Sequence, residues 1–316
     1  MPNWKSEYNR DVYGRTITSL GDENKNIVVL DADLSKSTRT EFFAHKHPGR
    51  FFNMGISEQD MMGTAAGFAA AGKIPFVSTF AIFASGRAWE QVRNTICYCN
   101  LNVRIVVSHA GLSVGEDGAS HQALEDIGLM RCIPNLRVIV PADAVETEQV
   151  IRYAAGTLDG PYYIRLGRSK TPIIFDENYR FALGKAPVLR EGKDVTLFST
   201  GILLSTAILA ADILEKEGIS ARVVNMSTIK PIDRDAIAES AERTKGFVTI
   251  EEHSVIGGLG SAVSEVAVTL PNPPRMEMAG IQGVFGESGT PDELFRAYRL
   301  TPEEIALKAK KVLSKA

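Results

Sequence analysis

Apolar runs alternate with helix-like segments along the first half of the chain. Five runs are continuously apolar, namely NIVVLDAD, KIPFVSTF, VRIVVSHAG, LRVIVPAD and PYYIRLG, centred near residues 30, 77, 106, 139 and 164. Strands of this kind are typical of a parallel sheet that helices cover on both faces. The alternation therefore predicts a doubly wound, mainly parallel α/β domain. Ligands of such domains bind beyond the carboxyl ends of the strands, where Asp33, Phe80, His109 and Arg168 lie.

A polar, proline-containing segment, roughly residues 169–194, interrupts the alternation, which then restarts. The new series contains DVTLFSTG, SARVVNMSTIKP and GFVTIEEH, followed by the glycine-rich VIGGLGSAVSE. This glycine-rich stretch lacks the GK[ST] ending of a phosphate-binding loop, so we interpret it as a tight strand-to-helix turn. The sequence thus predicts two α/β units, residues 1–180 and the smaller 190–316. Glu252 and His253, which precede the glycines, are assigned no catalytic role.

Composition excludes several classes of protein. The net charge of −3 over 316 residues gives no reason to expect a nucleic acid or an acidic membrane surface as a partner. No run of about 18 uncharged apolar residues is present, so we expect no membrane span. Cys97, Cys99 and Cys132 form neither a CxxC pair nor a disulfide framework, and the N-terminus lacks an apolar signal core. We therefore expect a cytoplasmic enzyme with reduced thiols.

One carboxylate, Glu58, stands at the entrance of an almost wholly apolar helix within the stretch FFNMGISEQDMMGTAAGFAAAGKIPFVSTFAIF. A carboxylate in such surroundings loses hydration, which suits it to share a proton with a heterocycle rather than to form a salt bridge. Phe80 and Phe83 follow and could provide walls for a planar ring. The alternatives are a helix-terminal charge stabilised by the dipole for Glu58, and core packing for the two phenylalanines.

A glycine-rich loop, SHAGLSVGEDGASHQALED, presents His109, Asp117 and His121 within thirteen residues. Its glycines permit close approach of the backbone to a ligand. Histidine titrates near neutrality, so two histidines on one loop indicate proton transfer. The alternatives are idle, exposed histidines and metal ligation. The spacing is not that of a helical HExxH motif, and no further Cys or Glu completes a zinc set, so no metal ligands are predicted on this chain.

The Glu58 stretch resembles the pyrimidine-binding domain of thiamine diphosphate enzymes, most closely the transketolase family. GEDGxxHQ is highly characteristic of transketolases, and the second unit resembles their C-terminal domain. The resemblance implies that Glu58 binds the aminopyrimidine of thiamine diphosphate and activates the cofactor, while Phe80 and Phe83 stack on its ring. Where the family often has a further aromatic, this chain has Gly86. The cofactor supplies the carbanion chemistry, and the protein supplies orientation and a proton relay.

The same resemblance implies roles for residues that contact substrate. His109 and His121 would contact the oxygens of the donor and the intermediate and assist proton movements. Asp117 would bind the hydroxyl next to the reacting carbonyl.

Sugar-phosphate substrates also need a phosphate site. Arg10, Ser37 and Arg168 occupy the places of the family's phosphate-binding residues, and a guanidinium can bind phosphate bidentately. Lys36 stands where a proline is common, and the roles of Arg165 and Arg168 are not separable from the sequence. Each arginine could instead be a surface or salt-bridge residue.

Half of the family's architecture is missing from this sequence. Transketolases hold the diphosphate through Mg²⁺ with a GDG motif and a later asparagine, and this chain contains no such motif. The resemblance therefore implies the C-terminal subunit of a split transketolase that begins at Met1 and has its Mg²⁺ ligands on a companion N-terminal subunit. An α2β2 assembly is expected, inactive without that partner. The expected reaction transfers a two-carbon ketol unit from xylulose 5-phosphate to ribose 5-phosphate.

Three other interpretations stay open. The chain could act on an unusual sugar, such as a branched pentulose phosphate or a sulfosugar. It could be the β subunit of a 2-oxoacid dehydrogenase, although GEDGxxHQ argues against this, and deoxyxylulose phosphate synthase is one long chain. It could also be a regulatory or structural homologue, but such a protein should tolerate the loss of Glu58, His121 or the phosphate arginines, all of which are present.

Overall fold

The computed structural model describes residues 3–314 as two large sheets, of seven and five strands, flanked by helices, together with one small sheet of two strands. The strands are β1 Ser6–Tyr8, β2 Ile27–Asp31, β3 Phe51–Asn53, β4 Ile74–Ser78, β5 Arg104–Val107, β6 Arg137–Ile139, β7 Tyr162–Arg165, β8 Lys170–Pro172, β9 Val188–Arg190, β10 Val195–Ser199, β11 Ala221–Asn225, β12 Thr228–Lys230, β13 Gly246–Ser254 and β14 Arg275–Ile281. The five apolar runs of the first unit coincide with β2, β4, β5, β6 and β7, as expected for the predicted α/β fold.

Helices connect the strands and cover both faces of the sheets. The α-helices are α1 Asn9–Glu23, α2 Ser35–Thr38, α3 Glu41–Lys46, α4 Glu58–Ala70, α5 Asp126–Arg131, α6 Ala144–Gly156, α7 Leu204–Lys216, α8 Arg234–Arg243, α9 Leu259–Ala267, α10 Pro291–Ala297 and α11 Pro302–Ser314. Two π-helical stretches, Phe83–Arg87 and Gln91–Cys97, and a 3₁₀ segment, Leu112–Asp117, lie near the strand ends. None of the helices between residues 3 and 314 combines the length and apolar character needed to span a bilayer.

The first sheet has the order β12-β6-β7-β5-β4-β2-β3. Its strands are parallel except β12, which pairs antiparallel with β6. The second sheet has the order β14-β13-β10-β11-β9, with β9 antiparallel at one edge. Since parallel strands joined by crossovers all end on the same side, the carboxyl ends of β2, β4, β5 and β7 meet along one edge of the first sheet.

Strand β12 crosses from the second half of the chain into the first sheet. The run SARVVNMSTIKP, predicted as one strand, is divided into β11 in the second sheet and β12 in the first. One apolar core also spans both halves, since Ile105 and Val138 share a cluster with Phe198 and Phe247. The boundaries 1–180 and 190–316 stay a prediction, but the two halves are packed as one body.

The glycine-rich VIGGLGSAVSE is the strand-to-helix turn that its sequence predicts. Strand β13 ends at Ser254 and α9 begins at Leu259. A carboxylate of the chain itself occupies the start of α9, because Glu251 accepts hydrogen bonds from the backbone N–H groups of Leu259 at 2.6 Å and Gly260 at 2.8 Å. These N–H groups at the start of α9, which have no partner within the helix, are thereby satisfied by the chain itself.

Glu146 ties the two halves together. It is fully buried on α6 and accepts hydrogen bonds from Ala142 N at 2.7 Å, from the Tyr179 hydroxyl at 2.5 Å and from Asn225 Nδ2 at 3.1 Å. Tyr179 belongs to the connection between the halves, and Asn225 ends β11 of the second sheet. One carboxylate therefore satisfies donors from three separate segments.

We expect Glu146→Leu to lower the free energy of unfolding by about 3 kcal/mol, because three donors lose their acceptor in a buried site. Glu148→Leu is the matched control, since Glu148 is exposed two residues further along the same helix. Urea titration followed by circular dichroism measures both. Equal midpoints for the two variants would contradict the role of Glu146.

Candidate active site

Four of the nine predicted site residues lie on segments that directly follow the carboxyl ends of neighbouring strands. Phe80 follows β4, His109 follows β5 and Arg168 follows β7, while Ser37 lies on the segment after β2. Because β2, β4, β5 and β7 are adjacent in the sheet, these side chains reach one shared edge.

Four of the predicted residues form an aromatic cluster at this edge. The ring of His109 stacks on Phe80 with a centroid distance of 3.8 Å and an interplanar angle of 18°. Phe80 and Phe83 are near-parallel at 5.8 Å. His121 presents its ring edge-on to Phe80 at 6.2 Å and to Phe83 at 5.8 Å. The two loop histidines and the two phenylalanines predicted as ring walls thus line the same surface.

His109 is held in an uncommon backbone conformation and is almost fully buried. Its φ is +55°, in the left-handed region, and the residue is 3% exposed. Its Nδ1 lies 3.0 Å from the Ser108 hydroxyl. Burial, together with the nearby charges of Arg10 and Arg168, lowers the pKa of His109 from 6.5 to about 3. At neutral pH the ring is therefore uncharged, with one nitrogen able to donate and the other to accept.

Glu58 begins α4 and is 1% exposed. The sequence-based expectation that Glu58 forms no salt bridge is wrong, since Arg87 Nη1 lies 2.8 Å from Glu58 Oε2. The guanidinium of Arg87 also lies 4.6 Å from the ring centroid of Phe83. Arg87, which sequence reasoning missed, therefore connects the buried carboxylate to the aromatic cluster. Its i+4 spacing from Phe83 in a helical stretch is the signal that could have identified it.

A group of arginines lies beside the aromatic cluster. Arg10 Nη1 donates to the Ser37 carbonyl at 3.0 Å, so the structure brings these two predicted residues together. Burial lowers the pKa of Arg10, and Arg39 and Arg168 are close enough to lower it further. Arg39, a third cation that the sequence did not single out, is paired with Asp11 at 2.7 Å.

The segment carrying Ser37 is fixed by a buried aspartate. Asp31, the last residue of β2, accepts hydrogen bonds from Leu34 N at 2.6 Å, the Thr38 hydroxyl at 2.7 Å and the Thr40 hydroxyl at 2.8 Å. Burial raises its pKa despite these bonds. The turn that delivers Ser37 to Arg10 is thus built on the end of a central strand.

Arg165 and Arg168, which the sequence could not separate, have different environments. Arg165 is 3% exposed and donates to Asp126 Oδ2 at 2.8 Å, so it belongs to the interior. Arg168 has a side chain 34% exposed and donates to the Val114 carbonyl at 2.5 Å and to Glu116 at 2.9 Å. Its Nη1 also lies 3.8 Å from Asp117 Oδ1. Only Arg168 of the two faces the candidate site.

No group of three or more His, Cys, Asp or Glu side chains is arranged to hold a metal ion within residues 3–314. Histidines 109 and 121 contact Phe80 rather than converging on a common centre with Asp117.

The chain matches two family models in succession. Residues 7–173 match the transketolase pyrimidine-binding domain and residues 184–305 match the transketolase C-terminal domain. The chain belongs to the transketolase family. Family membership and the predicted fold are thereby confirmed.

The transketolase relatives include proteins of similar length. A protein of Methanocaldococcus jannaschii described as a transketolase C-terminal section is 51% identical over 94% of this chain and 93% of its own length. A 6-deoxy-6-sulfo-D-fructose transketolase subunit from Clostridium sp. is 41% identical over 96% of this chain and 94% of its own. A solved structure described as a split-gene transketolase, an inactive β4 tetramer, superposes with a TM-score of 0.90 and is 53% identical, covering 97% of this chain and 98% of that one.

The lowered pKa of His109 predicts a pH-dependent contribution to stability. Since its pKa is lower in the folded chain than the ordinary 6.5, the unfolded chain takes up a proton first as the pH falls, and stability is lost. The variant His109→Asn removes the ring, and asparagine tolerates the left-handed conformation. We expect the unfolding free energy of the parent relative to this variant to fall by about 2 kcal/mol between pH 7.5 and 5. Denaturant titrations at both pH values measure it, and a constant difference would contradict it.

Proposed function

We propose that this chain is the C-terminal subunit of a split transketolase that transfers a two-carbon ketol unit from a ketose phosphate to an aldose phosphate. The observation that supports this most strongly is the convergence at one sheet edge. A buried carboxylate, an aromatic wall, two histidines and a group of arginines come from six separate segments of the chain to that edge.

The residues present fit the pyrimidine half of thiamine diphosphate. Glu58 is buried, and Arg87 engages only one of its two oxygens, Oε2. The near-parallel rings of Phe80 and Phe83 offer flat apolar faces for a planar heterocycle. Glu58, Phe80 and Phe83 would hold the ring, and the bound cofactor would supply a nucleophilic carbon. Mg²⁺ and the diphosphate would be held by residues of the partner chain.

The histidines and the acidic residue then act on the substrate oxygens. His109 is neutral at pH 7 and can donate a hydrogen bond to a carbonyl oxygen without introducing a charge. His121 lies across the aromatic cluster from it and is the second candidate for holding or moving a proton at a substrate hydroxyl. Asp117, beside Arg168, is the candidate acceptor for the hydroxyl next to the reacting carbonyl.

Arg10, Ser37 and Arg168 form the proposed phosphate site. Of the three neighbouring arginines, Arg39 and Arg168 form ion pairs with carboxylates. Arg10 instead donates its described hydrogen bond to the neutral carbonyl of Ser37, so its positive charge is the least compensated of the three. A guanidinium without a carboxylate partner retains its charge for an incoming anion. The role of Arg10 as the main anchor follows from this difference.

A companion N-terminal subunit completes the proposed enzyme. The relatives described as a C-terminal section, as a subunit and as a split-gene β4 tetramer support a division of the catalytic unit between two chains. We propose an α2β2 assembly in which the edge bearing Glu58 and Phe83 faces the diphosphate-binding chain. Three unpaired cysteines are compatible with the proposed cytoplasmic location.

A sulfonated ketose is the second candidate donor. The support is the Clostridium relative, which is 41% identical and named for 6-deoxy-6-sulfo-D-fructose. Sulfonate and phosphate are both tetrahedral anions that arginine binds through paired N–H groups. Xylulose 5-phosphate with ribose 5-phosphate is the proposed pair, and the sulfosugar belongs in the same assay.

The test mixes this chain with the N-terminal transketolase subunit of the same organism, thiamine diphosphate, Mg²⁺ and the two pentose phosphates. We expect sedoheptulose 7-phosphate from the mixture and none from either chain alone. Glu58→Gln should abolish product and weaken thiamine diphosphate binding measured by calorimetry. Asp60→Asn, an exposed carboxylate on the same helix, should change neither.

The outcomes separate the parts of the proposal. Strong activity from the lone chain would disprove the split-subunit assignment. A stable complex that is inactive with the pentose phosphates but transfers a ketol unit from the sulfosugar would replace xylulose 5-phosphate as the donor. Turnover of a 2-oxo acid instead would replace the reaction class.

Substitution of Arg10 should affect phosphorylated donors selectively. We expect Arg10→Leu to raise the KM for xylulose 5-phosphate about tenfold to a hundredfold, since a hydrogen bond to a charged group contributes about 1.5–3 kcal/mol. The KM for unphosphorylated xylulose should change far less. Arg15→Leu is the control, because Arg15 is exposed on the same helix and paired with Glu7. Equal effects on both donors would remove Arg10 from the phosphate site.

A further inference from the structure

The segment Leu112–Asp117, which contains the start of the GEDG motif, is enclosed by the second half of the chain. Gly115 packs against Gly289 and Pro291, and Gly118 packs against Ser288. The Gln122 side chain connects this segment to the second half, since it donates to the Leu112 carbonyl at 3.3 Å and to the Glu287 carbonyl at 2.9 Å. Residues of the second half thus hold the conformation of a loop that belongs to the first half.

Glu252 makes the most direct of these contacts. It lies on β13, is 5% exposed, and accepts a hydrogen bond from Ser113 N at 2.8 Å through Oε2. Its carboxylate lies against Gly111, where φ is +81° and a Cβ would overlap it. A glycine at 111 is therefore required both by the backbone conformation and by the space that Glu252 occupies. The sequence assigned Glu252 no role.

Glu252 shares one buried cation, Arg165, with a second buried carboxylate. Arg165 Nη1 lies 3.9 Å from Glu252 Oε1, and Arg165 also binds Asp126. Burial raises the pKa of Glu252, while Arg165 and the Ser113 N–H lower it. His253 beside it accepts from Ile127 N at 3.1 Å, which ties α5 to the same strand. Glu252 is thus part of a built network rather than an isolated charge.

The Ser113 amide, which Glu252 binds, is adjacent in sequence to a residue that Arg168 contacts. Arg168 binds the Val114 carbonyl, directly after Ser113, and Glu116 on the same segment. Asp117 ends that segment. A shift of the Ser113 amide would therefore move the carbonyl that orients Arg168 and the backbone that presents Asp117.

We propose that Glu252 is a positioning residue of this enzyme, which fixes the segment Leu112–Asp117 through the Ser113 amide and so orients Asp117 and Arg168 for substrate. The inference rests on the proposed function, since it takes these two residues as substrate contacts. Through Glu252, the second half of the chain would influence substrate binding although Glu252 itself does not touch the substrate.

Two conservative variants of Glu252 separate the effect of side-chain length from the effect of charge. Glu252→Asp keeps the charge opposite Arg165 but withdraws the acceptor from Ser113 N by about 1.5 Å, the length of one carbon–carbon bond. Glu252→Gln keeps an acceptor oxygen at full reach and removes the charge. Glu251→Asp is the matched control, because Glu251 is the neighbouring buried carboxylate of β13 and caps α9 instead.

The first readout is hydrogen–deuterium exchange of the peptide covering residues 111–120 in this chain alone. Glu252→Asp should accelerate exchange of this peptide about tenfold, whereas Glu252→Gln and Glu251→Asp should leave it near the parent rate. The second readout is steady-state kinetics of the assembled enzyme. Glu252→Asp should raise the KM for the ketose phosphate about tenfold, with kcat changed less than about threefold, and Glu252→Gln should restore most of the affinity.

Other results would overturn the inference. A parent-like KM in Glu252→Asp, or an equal rise in Glu251→Asp, would leave Glu252 with a general structural role only. A larger effect of Glu252→Gln than of Glu252→Asp would assign the effect to charge. If the parent mixture transfers no ketol unit, the proposed function fails by itself, and the exchange result still decides whether Glu252 fixes the loop.

Discussion

The parallel alignment of β2, β4, β5 and β7 is the constraint on which the candidate site depends. Each strand is buried and ends at the same level, so the residues that follow it share one edge. The chain then adds only short extensions, two residues from β4 to Phe80 and from β5 to His109, and three from β7 to Arg168. Short connections leave little freedom, and the side chains are positioned by the sheet rather than by long loops.

The electrostatics of this edge follow from the same geometry. Several guanidinium groups surround a buried imidazole, which stays neutral because a further positive charge there would be both desolvated and repelled. Glu58, the buried carboxylate that begins α4 on this side, is paired with Arg87. The edge is therefore rich in hydrogen-bond donors, as the recognition of anionic, oxygen-rich substrates requires.

Local sequence patterns predicted the five buried strands of the first unit, the helix that begins at Glu58, the pairing of Phe80 with Phe83 and the strand-to-helix turn after His253, because apolar periodicity and glycine placement are local properties. The Arg87–Glu58 pair, the passage of β12 into the first sheet and the contact of Glu252 with Ser113 could not be predicted. These contacts join residues from 29 to 139 positions apart, and local periodicity contains no information on such pairing. Arg165 and Arg168 illustrate the same limit, since three positions along the chain separate an interior ion pair from a partly exposed one.

The return of β12 to the first sheet has a consequence for exchanging parts between related chains. A chimera joined in the connection between residues 180 and 190 would take its β6 from one parent and the strand that covers β6 from the other. Any mismatch in that pair would uncover a sheet edge and the apolar side chains beneath it. Such chimeras would therefore fold only when the β6 of one parent and the β12 of the other can pair. A junction that looks suitable along the sequence thus separates two strands that contact each other in the structure.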